Sequence, residues 1–151
     1  VSKQSILDIS QFLPYQLVSL STKVSDDFAQ VYSAEAGLTQ AQWRVLSHVF
    51  NLEFVTAKRV CELANMDKST VSRAIKQLEE KQLLLLTKHP TDKRASVLQA
   101  TEAGLILYEQ LTPKAKEWES ALLSNFTDNE KATFRELIAK LSMSVEEKSG
   151  K

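Results

Sequence analysis

Apolar residues recur at helical spacing near both ends of this chain. Leu13, Leu17, Leu20, Val24, Phe28 and Val31 follow one another at steps of three and four, and so do Phe134, Ile138, Leu141 and Val145. Such steps put side chains on one helix face, whereas strands alternate every second residue. Only three glycines and three prolines occur in 151 residues, so few long loops can interrupt the helices. Pro14 suits a first helical turn, where its missing N–H leaves no acceptor unserved. Gly37 is placed to end that long helix. Residues 5–12 are expected to form a short helix before it.

The middle of the chain reads differently. Thr39 and Gln42 have the spacing of a capping box, ahead of a helix that buries Trp43, Leu46, Val49 and Phe50. Thr56 opens a short helix to about Asn65, with Val60, Leu63 and Ala64 inward. Asp67 is the expected N-cap of the next helix, which runs to about Lys81, with Met66 and Val71 as its hydrophobic staple. The four leucines from Leu83 to Leu86 can prolong that helix or begin a strand. The break at Gln82 and the turn at Pro90 favour a β-hairpin, with Ala95 to Gln99 returning. Thr101 caps a further helix carrying Leu111, Ala115, Trp118 and Leu122, which Pro113 should kink. Thr127 and Glu130 repeat the capping box. The fold class is therefore mainly α with a small β-hairpin.

Composition narrows the function classes. No apolar run exceeds four residues, so no membrane span is expected. No basic stretch followed by an apolar run opens the sequence, and a cytoplasmic location is expected. A single cysteine, Cys61, cannot form an intramolecular disulfide or a thiolate zinc cage; among Val60 and Leu63 it reads as a structural thiol. His48 and His89 stand alone without a ligand pattern, so neither a metal nor a cofactor is expected. No Gly-rich phosphate loop, nucleophile elbow or paired-histidine motif points to an enzyme.

The net charge of zero conceals a pattern. Residues 56–100 hold nine basic against five acidic residues, while the segments on either side are each acidic by two. A local positive field suits a polyanion, although an unevenly charged, solvated surface looks the same. On the helix opened by Asp67, Val71, Ala74, Ile75 and Leu78 share one side. Ser69, Ser72, Arg73 and Lys76 lie roughly 160° away, with Lys68 and Thr70 in the first turn. No carboxylate occurs from residue 68 to 78. Small hydroxyl residues permit close approach to a groove, Arg73 can fork onto guanine O6 and N7, and Lys68 and Lys76 suit phosphates. An ordinary amphipathic surface helix would show the same stripe.

The surroundings of that helix favour the DNA reading. A short helix, a tight turn and a cationic helix form a helix-turn-helix layout. The hairpin tip Thr91-Asp92-Lys93-Arg94 adds two cations on a projecting ribbon, where an arginine can enter a narrow minor groove. Asp92 suits this role only if it holds Arg94 in place by a bidentate pair.

The stretch LANMDKSTVSRAIKQLEEKQLL, followed by TDKRASVLQATEAG, resembles the MarR family of winged-helix transcriptional regulators over about residues 39–110. The Asp-x-Arg of the wing and the Thr-Glu-x-Gly helix start are the more specific signals. The resemblance implies a winged helix-turn-helix DNA-binding domain over 39–100, with helices of 1–38 and 101–151 forming a dimerisation region. By the resemblance, Ser69, Thr70, Ser72, Arg73 and Lys76 match the recognition-helix positions that face DNA, Arg94 the wing arginine and Asp92 its partner; Lys68 and Lys93 join these DNA-binding candidates on charge and placement. The resemblance further implies a homodimer on a pseudo-palindromic duplex operator, most often as a repressor. Many relatives respond to a small aromatic ligand, which here would be lined by Phe12, Tyr15, Trp43 and His48. Two positions depart from the pattern. Gln82 stands where glycine is usual, at a cost of about 1 kcal/mol if its backbone is left-handed, and Ala100 stands where leucine is common. A winged-helix module that binds protein instead of DNA is the competing expectation, and it would carry apolar or acidic residues on the exposed helix face.

Overall fold

The computed structural model describes residues 6–150. In chain order the elements are α1 (Leu13–Ala36), α2 (Gln40–Asn51), α3 (Ala57–Ala64), α4 (Lys68–Glu80), β1 (Leu84–Lys88), β2 (Ser96–Ala100), α5 (Glu102–Leu122) and α6 (Asp128–Ser149). Contacts group them into two compact units that part between Ala115 and Lys116.

Local chemistry sets most boundaries. Pro14 lies in the first turn of α1, and Gly37 ends that helix in the left-handed conformation at φ 61°. Thr39 and Gln42 form the reciprocal capping box of α2, and Thr127 and Glu130 that of α6. Thr56 and Asp67 accept N–H bonds at the starts of α3 and α4. Helix α4 ends in a Schellman motif: Leu83 N–H donates to the Leu78 carbonyl (2.9 Å) and Gln82 N–H to that of Glu79 (2.8 Å). Gln82 takes the left-handed position at φ 59°. This turn stops the helix and lets the leucines enter β1. Gln82→Gly is expected to raise stability by about 1 kcal/mol, since glycine occupies that backbone region without a Cβ clash. Urea unfolding with an unchanged m-value would show the gain.

The core of the first unit lies among α2, α3, α4 and the hairpin. Val45, Leu46, Val60, Val71 and Leu78 are wholly buried there, joined by Tyr32 from α1 and Leu111 from α5. Each such side chain contributes roughly 1.5–3 kcal/mol by leaving water. One polar residue joins them. Gln42, 3% exposed, donates from Nε2 to Gln77 Oε1 (2.8 Å), while Lys81 Nζ reaches its Oε1 (3.4 Å) and the Gly37 carbonyl (2.9 Å). The C-terminal end of α4 is thus tied to the start of α2 and the end of α1.

The strands pair antiparallel, with Leu84 opposite Ala100 and Lys88 opposite Ser96. Leu98 N–H donates to the Val55 carbonyl (2.9 Å), which anchors the hairpin to the loop before α3. After β2, Thr101 N–H meets the Leu83 carbonyl (3.1 Å), and its hydroxyl donates to Gln82 O (2.7 Å) and accepts from Gly104 N–H (3.0 Å). The Thr-Glu-x-Gly start of α5 is therefore stitched to the α4–β1 turn. Helix α5 continues through Pro113.

Two sequence expectations need correction. Residues 6–12 are not helical; the Asp8 carboxylate takes the Ser10 N–H (3.0 Å) and hydroxyl (2.7 Å), a turn that competes with helix. Position 5 lies outside the described residues. Leu63, expected inward, is exposed on the short α3, whose buried side is supplied by Val60. The stripes at the chain ends also stay partly uncovered: Leu13, Leu17 and Leu20 on α1 and Phe134, Ile138 and Val145 on α6 are exposed, while Val24, Phe28, Val31 and Leu141 are half-buried. Within the second unit, Arg135 pairs with Glu119 (2.7 Å), and no described side chain of α6 is buried.

Candidate nucleic-acid interface

The buried side of α4 fixes what its other side presents. With Val71, Ala74, Ile75 and Leu78 in the core, Lys68, Ser69, Ser72, Arg73 and Lys76 face solvent, and Thr70 is half-buried. No ion pair among the described residues takes up Lys68, Arg73, Lys76, Lys93 or Arg94. The pairs that do form lie elsewhere, as between Arg59 and Glu62 (3.1 Å) and between Lys114 and Glu35 (2.5 Å). Free guanidinium and ammonium groups on a close-approaching face are what phosphates and guanine edges require.

The start of α4 is more constrained than its sequence suggested. Asp67 Oδ2 accepts the Thr70 N–H (3.0 Å) and the Ser69 hydroxyl (2.5 Å), and Oδ1 accepts the Thr70 hydroxyl (2.5 Å). These bonds, the Ser69 hydroxyl foremost, hold the Asp67 carboxyl well below the usual carboxylate range. Its charge occupies the positive end of the helix. Ser69 and Thr70 thus offer lone pairs outward, suited to amino groups on cytosine or adenine, and must release Asp67 before donating to phosphate. Ser72 is exposed and bound by no such clamp. The Asp67-x-Ser69-Thr70 spacing was the available signal, since an aspartate bonds hydroxyls and amides two and three residues on.

The wing turn spans residues 89–95 and closes through His89 N–H to the Ala95 carbonyl (3.1 Å). Asp92 does not form the expected bidentate pair with the Arg94 guanidinium. Its Oδ1 accepts the Arg94 backbone N–H (2.9 Å), and its carbonyl accepts Ala95 N–H (3.2 Å). An aspartate two residues ahead reaches that amide more readily than a long side chain. The guanidinium is left to solvent. His89, set aside in the sequence for want of ligand spacing, binds this turn through Nδ1.

The four ligand-lining candidates fall into separate surroundings. Phe12 and Tyr15 touch each other, with ring centroids 6.1 Å apart, and Tyr15 borders an open cavity of about 450 Å³ with Ile9, Gln16, Leu20 and Lys23. Trp43 instead stacks between Tyr32 (5.3 Å) and Tyr108 (5.5 Å), and Phe50 continues the stack beyond Tyr108 (4.5 Å). His48 is half-buried on α2, and burial pushes its pKa down. Among the described residues no three His, Cys, Asp or Glu side chains are gathered to hold a metal, and no helix is long and apolar enough to cross a membrane.

The MarR family profile matches residues 36–95, the span from the end of α1 to the wing turn. The HTH-type transcriptional regulator YwoH of Bacillus subtilis (strain 168) is 32% identical over 101 residues, 67% of this chain and 73% of that protein. A crystal structure of a MarR/EmrR family transcriptional regulator from Acinetobacter sp. ADP1 superposes with a TM-score of 0.83 at 29% identity, covering 93% of this chain and 99% of that one. CouR from Rhodococcus jostii RHA1, crystallised with p-coumaroyl-CoA, shares the fold with a TM-score of 0.75 at 20% identity, covering 90% and 95%. With a helix-turn-helix, an antiparallel wing and an unpaired cationic face already in place, these matches decide the family: the chain belongs to the MarR family and is a DNA-binding transcriptional regulator, not an enzyme.

Proposed function

We propose that this protein is a homodimeric repressor that binds a pseudo-palindromic operator in double-stranded DNA and blocks promoter access. The observation that carries this reading is the exposed face of α4, where Lys68, Arg73 and Lys76 stand beside Ser72 and form no ion pair among the described residues. Arg73 reads a base edge, and Lys68 and Lys76 hold phosphates. Lys93 and Arg94 reach the adjoining backbone or minor groove from the wing, with Asp92 shaping the turn. Residues 39–100 form the DNA-binding domain, and 1–38 with 101–151 the dimerisation region. The site of action is the cytoplasm.

The uncovered apolar stripes support the dimer. Leu20 alone is 52% exposed, and Leu13 and Leu17 lie on the same face. A second copy would remove that face from water. Leu20→Asp is expected to convert a dimer into a chain of 17.0 kDa in sedimentation; an unchanged dimer would place the interface elsewhere. A small aromatic effector is part of the same reading, with Phe12, Tyr15, Trp43 and His48 as lining candidates. Binding would change the spacing of two recognition helices and so the DNA-competent population.

Selection of bound duplexes from a random pool tests the proposal. Enrichment of an inverted repeat with half-site centres about 10–10.5 base pairs apart, or a multiple of it, is the expected result. A pool that shows no enrichment would favour a protein-binding module and overturn the operator.

A further inference from the structure

We propose that His89 is a positioning residue of the wing, its neutral imidazole shaping through Nδ1 the turn that presents Lys93 and Arg94. The proposal rests on the DNA-binding reading of the wing. His89 follows directly on β1. Its Nδ1 stands 3.2 Å from Thr91 N, 3.0 Å from Asp92 N and 3.3 Å from Thr91 Oγ1. The two backbone groups can only donate, so Nδ1 must accept and the ring proton belongs on Nε2.

The chemistry is that of an aspartate or asparagine turn performed by histidine. Nδ1 lies as many bonds from Cβ as the Oδ1 of those residues, and it meets the amides two and three positions on. Pro90 between them has no N–H and a fixed φ. Asp92 then repeats the device on Arg94 N–H (2.9 Å), and its carbonyl takes Ala95 N–H (3.2 Å). Two linked side chains therefore hold three amides of the turn, and the Asp92 carbonyl holds a fourth. The charged residues along the hairpin are Lys88, Asp92, Lys93 and Arg94, and the ring's described hydrogen bonds reach no other element.

Protonation consumes the Nδ1 lone pair, and the imidazolium would face two N–H donors. Acid therefore opposes this turn, and with it the placement of Arg94. A ring that served instead as a phosphate contact would behave oppositely, since added positive charge strengthens phosphate binding.

The test compares His89→Asn, which keeps the acceptor, with His89→Phe, which keeps a ring and loses it. The probe is the duplex selected by the unmodified protein, at constant salt. At pH 7.5 His89→Phe should bind about tenfold more weakly, and His89→Asn within about twofold of the parent. Between pH 7.5 and 5.5 the parent should weaken relative to His89→Asn, His48 being common to both. In the free protein at pH 7.5, ring nitrogen NMR should show the Nε2–H form. Parent-like binding by His89→Phe while Arg94→Ala binds weakly would overturn the proposal. So would tightening of the parent by acid relative to His89→Asn, or an Nδ1–H ring. If no duplex binds the parent, the DNA reading itself fails, and the NMR measurement alone decides whether His89 holds the turn.

Discussion

Gly104→Ala is expected to destabilise the fold by about 3 kcal/mol, the upper end of the overpacking range. Helix propensity alone argues the other way, since alanine is favoured over glycine by about 1 kcal/mol in a helix interior. Geometry reverses the sign. A Cβ on Gly104 would stand 2.0 Å from the Leu83 carbonyl oxygen and 3.0 Å from its carbon. That carbonyl is main chain and already accepts Thr101 N–H at 3.1 Å, so no side-chain rotation relieves the clash. Either α5 retreats, breaking the Thr101 bonds that hold it to the α4–β1 turn, or the turn moves and takes the end of α4 with it. Denaturant unfolding should give a lower midpoint with an unchanged m-value. A loss below about 1 kcal/mol would mean that α5 does not start against Leu83.

Arg73→Ala should have the largest effect on DNA binding. A well-aligned arginine fork on guanine is worth about 1–3 kcal/mol, or roughly 5- to 150-fold in affinity. Arg73 sits across α4 from the buried Val71, Ala74 and Ile75, and no described carboxylate competes for it. The loss should fall on the selected operator and be small on unrelated duplex, so that base preference relaxes. Lys76→Ala, by contrast, should weaken all duplexes alike. Equal operator affinity in Arg73→Ala and the parent would remove Arg73 from the base edge.

The elements that the sequence made legible are those decided within a few residues. The caps at Thr39, Thr56, Asp67 and Thr127 each need one side-chain oxygen three positions from an amide, and all four form. The strand reading of the leucines prevailed because Gln82 adopts the left-handed turn despite not being glycine. The free face of α4 followed from period alone, given which side is apolar. What escaped depends on neighbours distant in sequence or on competition between side chains. The Gln42–Gln77 and Lys81–Gly37 bonds span 35 and 44 residues, and no local spacing announces them. The stack of Trp43 with Tyr32 and Tyr108 unites three helices, and apolar spacing on α2 alone does not reveal it. Asp92 was assigned to the wrong part of Arg94 because spacing does not distinguish an amide from a guanidinium. Apolar periodicity revealed the stripes on α1 and α6 without revealing what covers them.

In the proposed function, unpaired cations on α4 and the wing bind the duplex through phosphates. Operator affinity measured between about 50 and 200 mM salt tests this most directly, because each neutralised phosphate contributes about −0.9 to the slope of log K against log salt. The slope should be steep and negative, and shallower by about 1 when Lys76 is replaced by alanine. Affinity that ignores salt, or a slope unmoved by Lys76→Ala, would contradict it.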